Sequence, residues 1–321
     1  MKKNILALAQ NIIDGYRLTK DDDLDFLLTS PIEELQECAW NIQEHFCGTH
    51  IDLCSIINGR SGRCSEDCKY CAQAACHSTK IEEYSILPNE KIIAVAKANQ
   101  DAGVNRFSIV TSGRTLIGKE FDAVLEAYRE MSRTLTIALC ASHGFLNHEQ
   151  LRTLRLAGVT SYHHNIETSE RFFSKICTSH TYGDRIRTIK MAQMEGFTVC
   201  SGGIIGMGET WNDRIDMALS LFSLGIKSIP INVLMPINGT PLEKMPPLSS
   251  DDILRTIAIF RIINPDANVR LAAGRKYFTD NGASALTHGA SAAITGCMLT
   301  TIGSSINDDM IMLENLGLSN R

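Results

Sequence analysis

Cys64, Cys68 and Cys71 stand in the run Cys64-Ser-Glu-Asp-Cys68-Lys-Tyr-Cys71, a Cys-x3-Cys-x2-Cys triplet with no fourth cysteine in step. Three thiolates can hold three irons of a cubane [4Fe–4S] cluster and leave the fourth iron open to a ligand. An iron with a vacant position is a reaction site, whereas a saturated cluster only passes electrons. The competing readings are a zinc knuckle and a ferredoxin-like carrier. Structural zinc takes four protein ligands, usually as two close pairs. No second pair follows: after Cys76 the next cysteine is Cys140, and the nearest histidine is His77. The spacing favours the open-site cluster.

The elements that must hold such a site are legible in the hydrophobic pattern. Short apolar runs at 50–57, 106–112, 135–141, 161–166, 198–205, 228–235, 269–273 and 293–299 alternate with helical stretches at 89–102, 120–131, 147–157, 182–194, 211–224 and 251–263. Strands nearly all followed by a helix predict a parallel sheet with right-handed crossovers. Eight such units are the number that closes a (β/α)8 TIM-type barrel, an α/β fold; an open doubly wound sheet is the competitor. Residues 3–45 read as helical, with apolar residues at Ile5, Leu6, Ile12, Ile13, Leu35, Ala39 and Ile42. The predicted organisation is an N-terminal helical extension over 1–47 and a single catalytic barrel domain over 48–315.

This frame puts the triplet in the loop after the first strand, at the end where barrel active sites are built. It also puts chemistry inside the strands. Cys54 lies on the first, Cys140 on the third, Cys200 on the fifth, Asn232 on the sixth and Arg270 on the seventh. His163, Asn165 and Glu167 alternate along the fourth and therefore face one side. Any one of these reads equally as a satisfied core residue. Converging together in an interior usually filled by Val, Ile and Leu, they would cost stability unless they bind something. The glycine-rich stretch from Gly202 to Glu209 permits close backbone approach or φ > 0, and reads as either a ligand-facing loop or a tight turn before a helix.

Composition narrows the class. The 321 residues are 44% hydrophobic and 21% charged, with a net charge of −5. That balance gives no electrostatic footprint for nucleic acid or an anionic membrane. Asn4, Gln10, Asn11 and Asp14 interrupt the N-terminal apolar residues, leaving no signal-peptide core, and no stretch approaches the ~20 apolar residues of a membrane span. A cytoplasmic chain is expected. Its eleven irregularly spaced cysteines then argue against a disulfide framework. Cys38, Cys47, Cys76, Cys177 and Cys297 are expected to be ordinary buried small hydrophobes; Cys177, in the loop Lys175-Ile-Cys177-Thr-Ser-His180, is the one of them that could lie near the active site.

The triplet, with Tyr70 before its last cysteine, resembles the radical S-adenosylmethionine superfamily. The runs RSGRCSEDCKYCAQ, SYHHNIETS, VCSGGIIGMGET, SIPINVLMPINGTPL and VRLAAGR are similar, in order and spacing, to those of the biotin synthase family, from about residue 30 to 315. The resemblance implies that Cys64, Cys68 and Cys71 hold a [4Fe–4S] cluster whose open iron takes the methionine end of S-adenosylmethionine. Tyr70, Asn165, Glu167, Gly203, Gly206 and Glu209 would contact that cofactor, and His163 and Asn232 the substrate dethiobiotin. Glu167 stands where the family more often has Asp, and His163 where Asn is common. The implied reaction is sulfur insertion: a 5′-deoxyadenosyl radical abstracts hydrogen from C9 and then C6, and one sulfur closes the ring. A low-potential electron donor, an iron–sulfur assembly system and a homodimer come with the family. Another radical enzyme of the same barrel type, maturase-like or methylornithine-synthase-like, is the alternative; a metal-binding module without catalysis is the other class.

The sequence departs from the better-known form at the sulfur source. In that form three strand cysteines and an arginine hold a [2Fe–2S] cluster; Cys140, Cys200 and Arg270 match three of these positions, but the fourth is Ser108. A hard alkoxide is a poor ligand in a sulfur-rich cluster. Cys54 stands on the neighbouring strand where the better-known form has serine. The expectation is a relocated ligand set, Cys54, Cys140 and Cys200 with Arg270 nearby, holding an auxiliary cluster of 2Fe–2S or 4Fe type.

Overall fold

A computed structural model describes residues 5–296, 299 and 303–320. Nine strand segments form one sheet: β1 (Asp52–Arg60), β2 (Arg106–Thr111), β3 (Ala138–Ser142), β4 (Ser161–His163), β5 (Thr198–Cys200), β6 (Gly203–Ile205), β7 (Ser228–Val233), β8 (Asn268–Leu271) and β9 (Ala292–Thr295). Their spatial order is β5-β4-β3-β2-β1-β9-β8-β7-β6, and β5 also pairs with β7. Every pairing is parallel. Cys200 lies opposite Ser228 and Gly203 opposite Ile231, one continuous register, so β5 and β6 are two halves of a single barrel strand. The sheet therefore closes into an eight-position parallel barrel.

Side-chain alternation divides the barrel into two chemistries. Leu53, Phe107, Ile109, Leu139, Tyr162, Val199, Ile229 and Val269 point outward and are buried beneath the helices. Their neighbours one residue on, among them Cys54, Ser108, Cys140, His163, Cys200 and Arg270, line an interior cavity. A barrel interior is ordinarily packed with branched apolar side chains. Here thiol, guanidinium, imidazole and amide groups share the inward positions with apolar residues such as Ile56, Val110 and Ile294.

Local capping starts the helices that matter for the site. Asn147 with Gln150, Thr181 with Asp184 and Thr210 with Asp213 form reciprocal capping boxes, each satisfying two otherwise orphaned donors. They open the helices His148–Leu156, Tyr182–Met194 and Trp211–Ser223.

The N-terminal segment is not one helical stretch. It forms helices Ile5–Ile13, Asp25–Thr29 and Ile32–Cys47. Gly15 turns the chain with φ of 108°, Asp21, Asp22 and Asp23 follow, and Pro31 precedes the last helix. Ile32–Cys47 packs on Ile5–Ile13 and on Ser250–Ile263, fastening the extension to the barrel wall. The fourth strand is shorter than its apolar run, ending at His163; the helix Glu170–Ile176 has no counterpart in the sequence reading. The last strand ends at Thr295, and Cys297 lies outside the described residues. Among the described residues no helix is long and apolar enough to cross a membrane.

Candidate active site

The triplet occupies the loop between β1 and the helix Asn89–Asp101. This loop is folded on itself: Cys64 N–H donates to the Gln73 carbonyl (3.0 Å), Ala75 N–H to the Cys64 carbonyl (2.8 Å), and Cys71 N–H to the Cys68 carbonyl (3.0 Å). All three cysteines line a cavity of about 210 Å³ at the barrel mouth. Burial pushes the Cys64 thiol up and the Cys71 thiol to about 11; Cys68 is raised by its hydrogen bond to Cys177 and by burial. Such thiols become thiolates when a metal displaces their protons. Among the described residues, the only three metal-ligating atoms within 4.8 Å of one another are on Cys68, Cys177 and His180. The triplet thus does not converge as ligands of a single ion would, and three soft thiols spread around one cavity fit a multi-iron cluster.

His163, Asn165 and Glu167 line both this cavity and a larger one of about 370 Å³ inside the barrel. They form a hydrogen-bonded chain. Ser142 Oγ lies 3.1 Å from His163 Nδ1, His163 Nε2 lies 3.0 Å from Asn165 Oδ1, and Asn165 Nδ2 donates to Glu167 Oε2 at 3.2 Å. Burial lowers the His163 pKa, against the pull of Glu167, so the ring is neutral. Asn165 Oδ1 can only accept, which puts the imidazole proton on Nε2 and leaves Nδ1 to accept from Ser142. Glu167 has φ of 70°, a left-handed conformation uncommon for a side-chain-bearing residue. Its carbonyl accepts from Ile204 N–H at 2.9 Å, which fixes the turn.

Arg185 underlies this chain and escaped the sequence reading. Its Nη1 donates to the Asn165 carbonyl (2.9 Å) and to Glu167 Oε1 (3.3 Å), and its Nε to His180 Nε2 (3.0 Å). Desolvation works against its charge, but Glu167 and the surrounding anionic groups raise its pKa. The signal was present: Arg185, Thr188, Ile189 and Ala192 form the buried stripe of helix Tyr182–Met194, a charge on a face that should be apolar. Glu66 was also missed. Burial opposes its ionisation, yet hydrogen bonds from Ser179, Arg114 and His180 hold its carboxyl below the usual range.

The glycine stretch serves the protein's own packing. A Cβ on Gly203 would lie 2.3 Å from the Glu167 carbonyl oxygen and 2.4 Å from Met217 Sδ, so its close approach is to protein. Glu209 accepts from Gly206 N–H (2.8 Å), Met207 N–H (2.7 Å) and Arg214 Nε (2.8 Å). Its carboxylate clamps the turn and is 1% exposed. Asn232 donates to the Gly203 carbonyl and faces the larger cavity.

Deeper in the barrel, Cys54, Cys140, Cys200 and Arg270 line the same cavity, joined by Arg106 and Ser108. Arg270 Nη2 donates to Asp52 Oδ1 at 2.6 Å and Arg106 Nε to Asp52 Oδ2 at 2.8 Å. Burial resists ionisation of Asp52, but the two guanidiniums hold its pKa below the usual range. The Cys54 thiol donates to the Ser55 carbonyl at 3.6 Å; its interaction with the Cys140 sulfur lowers the Cys140 pKa, aided by Arg106 and Arg270, and raises that of Cys54. Cys200 accepts from Ser228 Oγ at 3.3 Å and is pushed up by burial. Ser108 Oγ is buried without a hydrogen-bond partner among the described residues. A buried orphan hydroxyl is costly, and beside soft sulfurs and a buried cation it fits a polar group filling the cavity.

The remaining cysteines divide. Cys38 is buried and its thiol is pushed up to about 12 by desolvation, as a packing residue should be. Cys47 is half-buried and accepts from Arg261 Nη1 at 3.4 Å. Cys76 is exposed, against expectation. Cys177 is buried against Cys68, at 3.8 Å between sulfurs.

Comparison with known proteins agrees with this arrangement. The chain matches the Radical SAM superfamily over residues 60–221 and the Biotin and Thiamin Synthesis associated domain over residues 230–319. A biotin synthase of Clostridium beijerinckii is 57% identical over 312 residues, spanning 97% of this chain and 99% of its own. One of Alkaliphilus metalliredigens is 54% identical over 314 residues, spanning 98% and 99%. Among solved structures, a methylornithine synthase is similar with a TM-score of 0.85 at 20% identity, covering 98% of this chain and 97% of that one. A maturase of the [FeFe]-hydrogenase is similar with a TM-score of 0.80 at 16% identity, covering 99% and 75%. These two share the fold; the nearly full-length identity is with biotin synthases, and the chain belongs to the biotin synthase family of the radical SAM superfamily.

Proposed function

We propose that this protein forms biotin from dethiobiotin by radical S-adenosylmethionine chemistry, drawing the inserted sulfur from an auxiliary iron–sulfur cluster in its own barrel. The observation that carries the reading is a shared chamber. Tyr70, Asn165 and Glu167 border the cavity of the cysteine triplet and also the larger cavity that reaches Cys54, Cys140, Cys200 and Arg270.

Within this reading Cys64, Cys68 and Cys71 hold a [4Fe–4S] cluster. Bound there with S-adenosylmethionine, it supplies a one-electron reductive cleavage that yields the hydrogen-abstracting radical. The protein's part is binding and exclusion. Tyr70 and the turn through Gly203 and Gly206, clamped by Glu209, shape the cofactor wall, while Asn165 and Glu167 offer it hydrogen-bonding groups. His163 borders both cavities and Asn232 the larger one, and there dethiobiotin would present C9 and C6. Enclosure keeps water and stray C–H bonds away from a reactive radical. Cys54, Cys140 and Cys200, with Arg270 beside them, hold the auxiliary cluster, and Ser108 does not ligate it. The reading extends to a low-potential electron donor, an iron–sulfur assembly system, a homodimer and a cytoplasmic setting.

The test is a single-turnover assay under strict anaerobiosis with reconstituted protein, a low-potential reductant, S-adenosylmethionine and dethiobiotin. The expected result is biotin with about two 5′-deoxyadenosines per product, one for each abstraction. Deoxyadenosine without biotin would remove either the substrate assignment or the sulfur-bearing cluster.

A further inference from the structure

Cys177 has no place in the chemistry above, yet its sulfur lies 3.8 Å from that of Cys68. The segments carrying the two cysteines are tied side by side. Lys69 N–H donates to the Ile176 carbonyl (2.9 Å), and Asp67 N–H to Ser179 Oγ (3.2 Å). Thr178 and Ser179 N–H groups donate to Asp67 Oδ1 at 2.9 and 3.0 Å. The backbone on both flanks of each cysteine is therefore fixed against the other segment. Closing a disulfide from here asks the sulfurs to approach by about 1.8 Å, toward a bond of about 2.05 Å, with backbones already adjacent.

His180 Nδ1 lies 3.3 Å from Cys177 Sγ, which raises the alternative of a soft-metal site on Cys68, Cys177 and His180. The tautomer argues against it. Arg185 can only donate, and it donates to His180 Nε2, so the proton sits on Nδ1, directed at Glu66 and Cys177. A protonated ring nitrogen offers no lone pair to a metal. What remains is a pair of sulfurs, one facing a cavity and one behind it: Cys68 lines the mouth cavity, while Cys177 is 2% exposed.

We propose that Cys68 and Cys177 form a reversible disulfide when the cluster at Cys64, Cys68 and Cys71 is lost to an oxidant, with Cys177 as the resolving thiol. This rests on Cys68 being a cluster ligand. Hydrogen peroxide oxidises the freed Cys68 thiol to a sulfenic acid and leaves as water. Cys177 sulfur then attacks the Cys68 sulfur, the S–O bond breaks and a second water leaves. The Cys177 proton joins the departing hydroxide to make that second water, and Asp67 Oδ1, 3.1 Å from Cys177 Sγ, holds the thiol in place. Two thiols have lost two electrons and two protons, and one peroxide has become two waters. A dithiol reductant reverses the bond by exchange, becoming a disulfide itself. The consequence is protection: Cys68 is stopped before the irreversible sulfinic and sulfonic acids, and the site can be reloaded.

The experiment starts from full-length protein loaded with iron and sulfide, exposed to hydrogen peroxide until its cluster absorbance is gone, then alkylated, digested without reductant and mapped by mass spectrometry. The expected product is a peptide pair cross-linked through Cys68 and Cys177, released by dithiothreitol. Cys177→Ser keeps a hydroxyl for Asp67 and His180 but cannot cross-link. Before oxidation it should load as much iron as the parent. After oxidation and thiol treatment it should recover several-fold less, with Cys68 found as sulfinic or sulfonic acid. Cross-links confined to Cys64 and Cys71, or full iron recovery by oxidised Cys177→Ser, overturn the proposal. Failure of the triplet to load any cluster, visible before peroxide is added, overturns the cluster assignment and the proposal together.

Discussion

A guanidinium can be taken from water only where partners surround it, and Arg185, 8% exposed, meets Glu167, the Asn165 carbonyl and His180. Its removal leaves the Glu167 carboxylate buried beside Asn165 with its counter-charge gone. Breaking one partner of such a pair costs roughly 3–5 kcal/mol, more than the intact pair contributes. Arg185→Leu is therefore expected to lower stability by about that amount in denaturant melts. Adding Glu167→Gln should recover a large part, because the stranded charge goes with it. Neither variant should recover S-adenosylmethionine affinity, measured by equilibrium binding to reconstituted protein. A double variant no more stable than the single one would break this account. The residues that sequence reasoning did find, the cysteine triplet and the alternating His163, Asn165 and Glu167, announce themselves by local spacing. Glu66 and the bridging Asp52 do not, because their partners are distant in the chain; Arg185 shows only as a charge on the buried face of its helix. Asp52 touches Arg106 and Arg270, a relation that exists only once the barrel has closed.

Strands and helices were legible to within a few residues because each carries its own periodicity, apolar outward in the strands and a buried stripe in the helices. Two departures mark the site. The fourth strand stops at His163 and the fifth is interrupted between Cys200 and Gly203. At that interruption, Ile166 and Glu167 N–H groups both donate to the Gly202 carbonyl, while Gly202 N–H donates to Asn165 Oδ1. Backbone groups that would have continued the ladder are turned to hold the functional side chains, a choice that hydrophobic pattern cannot reveal. Gly203 makes the junction possible. Gly203→Ala drives a methyl into the Glu167 carbonyl and Met217, and overpacking of this kind costs about 1–3 kcal/mol. Gly225 gives the contrast: its φ is 67° but no atom of the described residues lies within 4 Å of its Cβ position, so alanine there brings only left-handed strain of about 1–2 kcal/mol. The two substitutions are expected to be similar in melting temperature and different in function. Gly203→Ala should weaken S-adenosylmethionine binding by tilting Glu167, and Gly225→Ala should leave it unchanged. Equal binding in both would detach Gly203 from the site.

At the scale of the whole molecule, two clusters of cysteines are carried by different kinds of structure and line two cavities that share Tyr70, His163, Asn165 and Glu167. The triplet sits on a self-bonded loop at the mouth, and Cys54, Cys140 and Cys200 sit on β1, β3 and β5 within the wall. The loop is tied within itself, to the segment around Cys177, and to Ser112, Arg114, Glu120 and Gly239, whereas the three strand cysteines are held by the barrel ladder. Each centre should therefore survive loss of the other. Cys64→Ala is expected to abolish deoxyadenosine formation while the auxiliary absorbance and its share of iron persist. Cys54→Ala should do the reverse, cleaving S-adenosylmethionine with no biotin formed and less iron bound. Ser108→Ala decides which residue replaced the usual ligand. Its hydroxyl has no partner among the described residues, and removing an unsatisfied buried polar group is close to neutral or stabilising. The variant should keep its fold, its second cluster and its biotin yield. If Ser108→Ala loses the auxiliary spectrum and Cys54→Ala keeps it, the ligand has not moved, and the serine is a true ligand despite its hardness. The two candidates can be compared directly because neighbouring strands place them on one wall: Cys54 lies opposite Arg106, and Ser108 opposite Cys140. A ligand moved between these adjacent strands would still face the same cavity.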